Sequence, residues 1–136
     1  MIQQGFWIGD RDWWIMVSYD ISGTEDLNDA YVSLLASGCP DYKAQRACMV
    51  LSNKDKGYTW SNYDGRFSAV FISRGTSAEQ VYDSCDHELK HLVEHISEYY
   101  DVDPRSEEAA YLQGEIARKM FPAIALLICP KCHNEY

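Results

Sequence analysis

Residues 85–100 read CDHELKHLVEHISEYY and hold three of the chain's four histidines, His87, His91 and His95, at four-residue steps. On a helix, residues four apart project from one face about a turn apart, so two such imidazoles can reach the same metal ion. Glu88 is rotated from His87 by about 100° and reaches a metal-bound water more readily than the metal itself. His87-Glu88-Leu89-Lys90-His91 is therefore an H-E-x-x-H pentapeptide, in which two neutral histidines hold zinc and the glutamate takes a proton from the zinc-bound water. The bland alternative is a polar helix face that happens to be rich in histidine. Leu89 argues against it, because it falls on the apolar stripe that would seat this helix in a core.

A catalytic zinc takes a third protein ligand and keeps one position open. Glu107 and Glu108 on the following helix are the candidates. With the apolar face of that helix centred between Leu112 and Met120, Glu108 lies roughly 90° from the centre and Glu107 roughly 160°. Glu108 is the better placed and Glu107 the fallback, although two glutamates in a first helical turn also suit the macrodipole. Three histidines on one straight helix cannot converge on one ion, so His95 is read as a supporting or surface residue. Asp101 and Asp103 have turn and cap chemistry, with orientation of a ligand imidazole as the alternative. Tyr99, Tyr100 and Tyr111 supply the nearest hydroxyls for an oxyanion, with Tyr111 the candidate and plain packing the alternative. The C-terminal CPKCHNEY brings Cys129, Cys132 and His133 together. That is half a zinc ribbon, a redox pair or a reduced tail, and Cys85 or Cys39 could complete a second zinc site.

These residues need elements to position them. FWIGD and WWIMVSYDI, rich in aromatic and β-branched residues around a polar GDRD, predict a hairpin. TEDLNDAYVSLLASG predicts a helix stopped at Gly38 and Pro40. RACMVLS (46–52) predicts a short buried strand, YTW a brief strand within a turn-rich stretch, and FSAVFISR (67–74) a strand ended by Gly75. Ser77, with Gln80 three residues on, predicts the start of the histidine helix, whose apolar stripe is Val81, Cys85, Leu89, Leu92 and Ile96. After a break at YYDVDPRS, Asp103 as N-cap and Pro104 as first helical residue predict a second helix, with Ala109, Leu112, Ile116 and Met120 on one face. Pro122 is expected to end or kink it, leaving FPAIALLI as a helix turn or a last strand.

The expected fold is α+β: a small mixed sheet of about four strands with one N-terminal helix, then two helices carrying the metal site. It forms a single domain over 1–136, with a sheet-rich half at 1–76, metal-site helices at 77–122 and a tail at 123–136. A chain of 136 residues has room for one core. Net charge is -9, from 12 basic and 21 acidic residues, which offers no basic footprint for nucleic acid. The start lacks a targeting pattern, the longest apolar stretch is too short for a bilayer, and the five cysteines have no framework spacing. A soluble cytoplasmic protein without nucleic-acid or membrane partners is expected.

HELKH on one helix, followed by SEEAAYLQGEIARKMFP on the next, resembles the zincin metallopeptidases with a glutamate third ligand. More narrowly, it resembles the small phage- and mobile-element-associated ImmA/IrrE-type proteins. The resemblance covers about residues 77–122 and departs from the family at Lys90, where a glycine is frequent, and at Ala110, where a polar residue is. It implies His87 and His91 as ligands, Glu88 as general base, Glu108 as third ligand with Glu107 as fallback, and a single zinc ion per chain. It also implies a strand beside the cleft that pairs with an extended peptide, for which FSAVFISR is the candidate. The expectation is a zinc-dependent peptidase acting on a peptide or protein. Two other readings use the same residues: a non-catalytic zincin-fold protein that binds or senses a partner, and a structural zinc domain whose fourth position is filled by His95, Asp101 or a tail cysteine.

Overall fold

The computed structural model describes residues 1–9 and 11–129. The chain opens with the expected hairpin, β1 (Ile2–Ile8) and β2 (Arg11–Ile21), paired antiparallel. Next come α1 (Gly23–Ala36) and α2 (Asp41–Leu51), then β3 (Gly57–Asn62) and β4 (Phe67–Ser73), and last α3 (Ala78–Tyr99) and α4 (Glu107–Ile128). The four strands form one mixed sheet in the order β1-β2-β4-β3, with β2 and β4 parallel at its centre. The α+β class and the mixed four-stranded sheet are as expected.

Alternation along the strands sends successive side chains to opposite faces. Trp13, Ile15, Val17 and Tyr19 of β2 with Val70 and Ile72 of β4 join the α3–α4 side, while Ala69 and Phe71 of β4 join the α1–α2 side. Helices therefore cover both faces. The stripe Val81, Cys85, Leu89, Leu92 and Ile96 is buried as expected, as is Ala109, Leu112, Ile116 and Met120 on α4.

Four expectations need correction. Residues 46–52 are not a strand: Ala44, Ala47 and Leu51 share the buried side of α2 at helical spacing, so two helices precede β3. The N-cap of α4 is Ser106, whose hydroxyl accepts from the Ala109 amide at 3.2 Å. Asp103 instead turns its carboxylate to the Arg105 amide at 3.0 Å, which leaves Pro104 in the turn before the helix. Pro122 does not end α4, because Ala123 and Leu127 continue the buried face beyond it and hold the helix to Ile128. The strand FSAVFISR is not an edge, because β3 pairs along its outer side.

The end of α3 explains the break before α4. Asp101 sits in the left-handed region (φ 56°), the Val102 amide donates to Ser97 O at 2.8 Å and the Asp101 amide to Glu98 O at 3.3 Å. This is a Schellman stop. It reverses the chain so that the first turn of α4 lies beside the last turn of α3.

Leu92 has no exposed surface where α3 crosses the sheet. Leu92→Ala is expected to lower unfolding free energy by about 2–5 kcal/mol, read from urea denaturation.

Candidate metal centre

His87, Glu88 and His91 come together halfway along α3. Their ligand atoms all lie within 4.8 Å of one another, and among the described residues no other histidine, cysteine or carboxylate joins them. The helix delivers them to one flank, between the sheet-facing stripe and solvent. His87 is largely exposed (68%) and His91 half-buried, whereas the Glu88 side chain is only 4% exposed.

The two imidazoles converge. Their Nε2 atoms are 3.2 Å apart. Two nitrogens at that separation, each at the ordinary zinc–nitrogen distance of about 2.0–2.1 Å, subtend about 100° at an ion, close to tetrahedral. The donor set suits zinc as well, since neutral imidazoles are among its preferred ligands.

Glu88 is held from the sheet side, by residues that the motif alone does not reveal. Thr59 on β3 donates its hydroxyl to Glu88 Oε1 at 2.7 Å. Gly57, two residues earlier on the same strand, lies against the carboxylate, and a Cβ added there would meet Glu88 Cγ at 2.6 Å and Oε2 at 2.9 Å. The second oxygen, Oε2, is 4.0 Å from His87 Nε2. Glu88 also lines a cavity of about 240 Å³ with Asp55, Lys56, Asp83 and Ser84. One carboxylate oxygen is thus oriented by a neutral donor, and the other lies 4.0 Å from His87.

His95, one turn beyond His91, is a buttress. Its Nδ1 is 2.7 Å from the Ser61 hydroxyl on β3, and its ring is tilted at 6.4 Å from that of His91. Burial pushes the imidazole below its ordinary range, and the neighbouring His91 adds to this. Cys85 is buried on the core side, where desolvation, helped by the Glu88 carboxylate, pushes its thiol up to about 12. Burial raises Cys39 too. Neither lies with the histidine pair. Cys129 caps the end of α4, and Cys132 and His133 lie outside the described residues.

Glu108 is not brought to the pair. Its Oε1 accepts from Arg11 of β2 at 2.5 Å, in a surface cleft with Asp12, Arg66, Tyr99 and Tyr100. That cleft is level with the end of α3, about 13 Å along the axis from His91 at 1.5 Å per residue. α4 also packs on the other flank of α3, where Ala117, Met120 and Ile124 line a small cavity with Tyr82, Asp86 and Leu89. Glu107 is exposed beside Glu108. Tyr111 is three-quarters exposed on α4. In this arrangement neither glutamate is placed with the histidine pair.

Among the described residues no helix is long and apolar enough to cross a membrane. No family model, curated protein or solved structure matches the chain.

Gly57→Ala is expected to cost about 1–3 kcal/mol by overpacking against Glu88, checked by denaturant titration. His95 supplies a pH test. Its folded pKa lies below the unfolded value of about 6.5, so the unfolded chain takes the proton first. The stability this contributes is complete above about pH 6.5 and falls as pH drops below it. Denaturation between pH 5 and 7 is expected to show a shallower pH slope for His95→Gln than for wild type.

Proposed function

We propose that this chain is a zinc-dependent peptidase in which His87 and His91 supply two of the ion's protein ligands, the third lying outside the group formed by the described residues, and Glu88 is the general base. The observation that carries this reading is the 3.2 Å convergence of the two Nε2 atoms, with Glu88 Oε2 4.0 Å from one of them. Bound zinc would supply a water that ionises near neutral pH and would polarise a peptide carbonyl. Thr59 fixes the Glu88 carboxylate through Oε1 and leaves Oε2 to accept the proton. Glu88 then passes that proton to the leaving amine. Burial keeps bulk water from competing for the carboxylate.

The edge strand gives a peptide somewhere to lie. Among the described residues β3 has a neighbour on one side only. The Ser73 amide donates to Lys56 O, so by antiparallel alternation Gly57, Thr59 and Ser61 turn their backbone groups outward. An extended segment adding there would pass Glu88 at Thr59. A cytoplasmic location completes the proposal.

A second reading has its own observation. The ligand atoms of all three residues fall within 4.8 Å, and Glu108 is engaged by Arg11, so Glu88 itself is the nearest third ligand of a non-catalytic metal site. Glu88→Gln separates the two. The peptidase reading expects retained zinc and a loss of about 10²-fold or more in cleavage of a quenched-fluorescent peptide library. Loss of zinc would make Glu88 a ligand, and unchanged cleavage would refute its role as base. Glu108→Gln is expected to leave zinc content unchanged, measured by plasma mass spectrometry. Zinc lost in that variant would restore Glu108 to the coordination sphere.

A further inference from the structure

A chain of hydrogen bonds runs from the core to the flank that carries the histidines. Trp13 Nε1 donates to Ser68 Oγ at 2.9 Å, Ser68 Oγ lies 2.7 Å from Ser61 Oγ, and Ser61 Oγ lies 2.7 Å from His95 Nδ1. Trp13 and Ser68 have no exposed surface. No step of the peptidase reading uses this chain.

Its direction follows from one fixed end. An indole N–H can only donate. Ser68 accepts that bond and has one hydrogen left to give, and among the described residues Ser61 is its only other side-chain partner. The reverse direction would leave a hydroxyl hydrogen of Ser68 buried without an acceptor, which costs about 1–3 kcal/mol. Ser68 therefore donates to Ser61, and since His95 Nδ1 is the one other side-chain partner of Ser61 among the described residues, the remaining Ser61 hydrogen is assigned to Nδ1. A neutral imidazole that accepts at Nδ1 carries its hydrogen on Nε2. Aligned bonds in a chain reinforce one another, which tightens the choice.

Nε2 is the ring's remaining polar atom, and it has no hydrogen-bond partner among the described residues. His95 forms one wall of a groove of about 630 Å³ along the outer edge of β3, with Gly38 and Lys43 on the opposite wall. Thr59 meets Glu88 and Ser61 meets His95, so the two contacts are two strand residues apart, about 7 Å.

We infer that His95, locked by the Trp13–Ser68–Ser61 chain as its Nε2–H tautomer, is a substrate-binding residue that donates a hydrogen bond to a backbone carbonyl of an extended peptide, two residues from the bond that Glu88 serves. The inference rests on the peptidase reading for its occupant, but the tautomer stands on the chain alone. His95 binds the strand and takes no part in the proton transfer.

Long-range proton–nitrogen correlation of the His95 ring in nitrogen-15-labelled protein reads the tautomer directly. Wild type is expected to show the Nε2–H form. Ser68→Ala, which frees the Ser61 hydroxyl to turn, is expected to show a mixture. An Nδ1–H ring in wild type, or identical spectra in the two proteins, overturns the relay. The grip is read from cleavage of the quenched-fluorescent library. His95→Ala is expected to raise KM about threefold to tenfold, the worth of one neutral hydrogen bond, with kcat nearly unchanged. His95→Gln, which keeps a side-chain N–H, is expected to recover most of that loss. An unchanged KM, or a loss confined to kcat, overturns the grip. Wild type that cleaves nothing while showing the Nε2–H form overturns the peptidase reading and the grip together, and supports the relay.

Discussion

The contact between α3 and the outer strand of the sheet is the constraint on which the candidate centre depends. Glu88 is a carboxylate almost wholly removed from solvent, and it is tolerable there because Thr59 donates to it and because position 57 has no side chain. A buried carboxylate without such a donor would be costly. The bond ties the histidine helix to β3 in a fixed register, and Ser61 with His95 repeats the tie two turns further on. The histidine pair is therefore carried on a helix clamped at two points along one strand.

The same clamp divides α3 into flanks with different work. One side faces β3 and carries the polar ties. The middle buries Val81, Leu92 and Ile96 against the sheet, and the far side packs on α4. α4 is held in turn by Gln4 and Trp7 of β1, whose partners on it are the Lys119 carbonyl and ammonium. With α4 anchored there, its first turn falls beside β2, and Arg11, stacked over Tyr100, takes Glu108. The separation of Glu108 from the histidines is thus a consequence of where the helices pack, not of a local defect in the motif.

Much of this was legible from short-range pattern. The Ser77–Gln80 cap and the stripe through Ile96 specify α3, and the alternation of FSAVFISR specifies β4 as a strand. Where pattern failed, a non-local or competing term decided. The run Cys48–Leu51 is apolar enough for a strand, but the spacing that matters, Ala44, Ala47 and Leu51, begins before it and relies on small residues that carry little signal. Asp103 and Ser106 are both good caps, and only the hydrogen bonds distinguish them. A helical wheel gave Glu108 an angle on its own helix. It could not give the flank of α3 on which that helix would pack, or the arginine on a distant strand. Gly57, Thr59 and Ser61 complete the centre from a turn-rich stretch in which only YTW reads as strand, because their role is to meet side chains about thirty residues on.

The central claim is that the His87–His91 pair is a metal site, and calorimetric titration of zinc into metal-stripped protein tests it most directly, with His91→Ala alongside. The account predicts a single zinc bound per wild-type chain, and loss of that event in the variant while its fold is retained by circular dichroism. Absence of zinc binding by wild type, or identical binding by the two proteins, would contradict it.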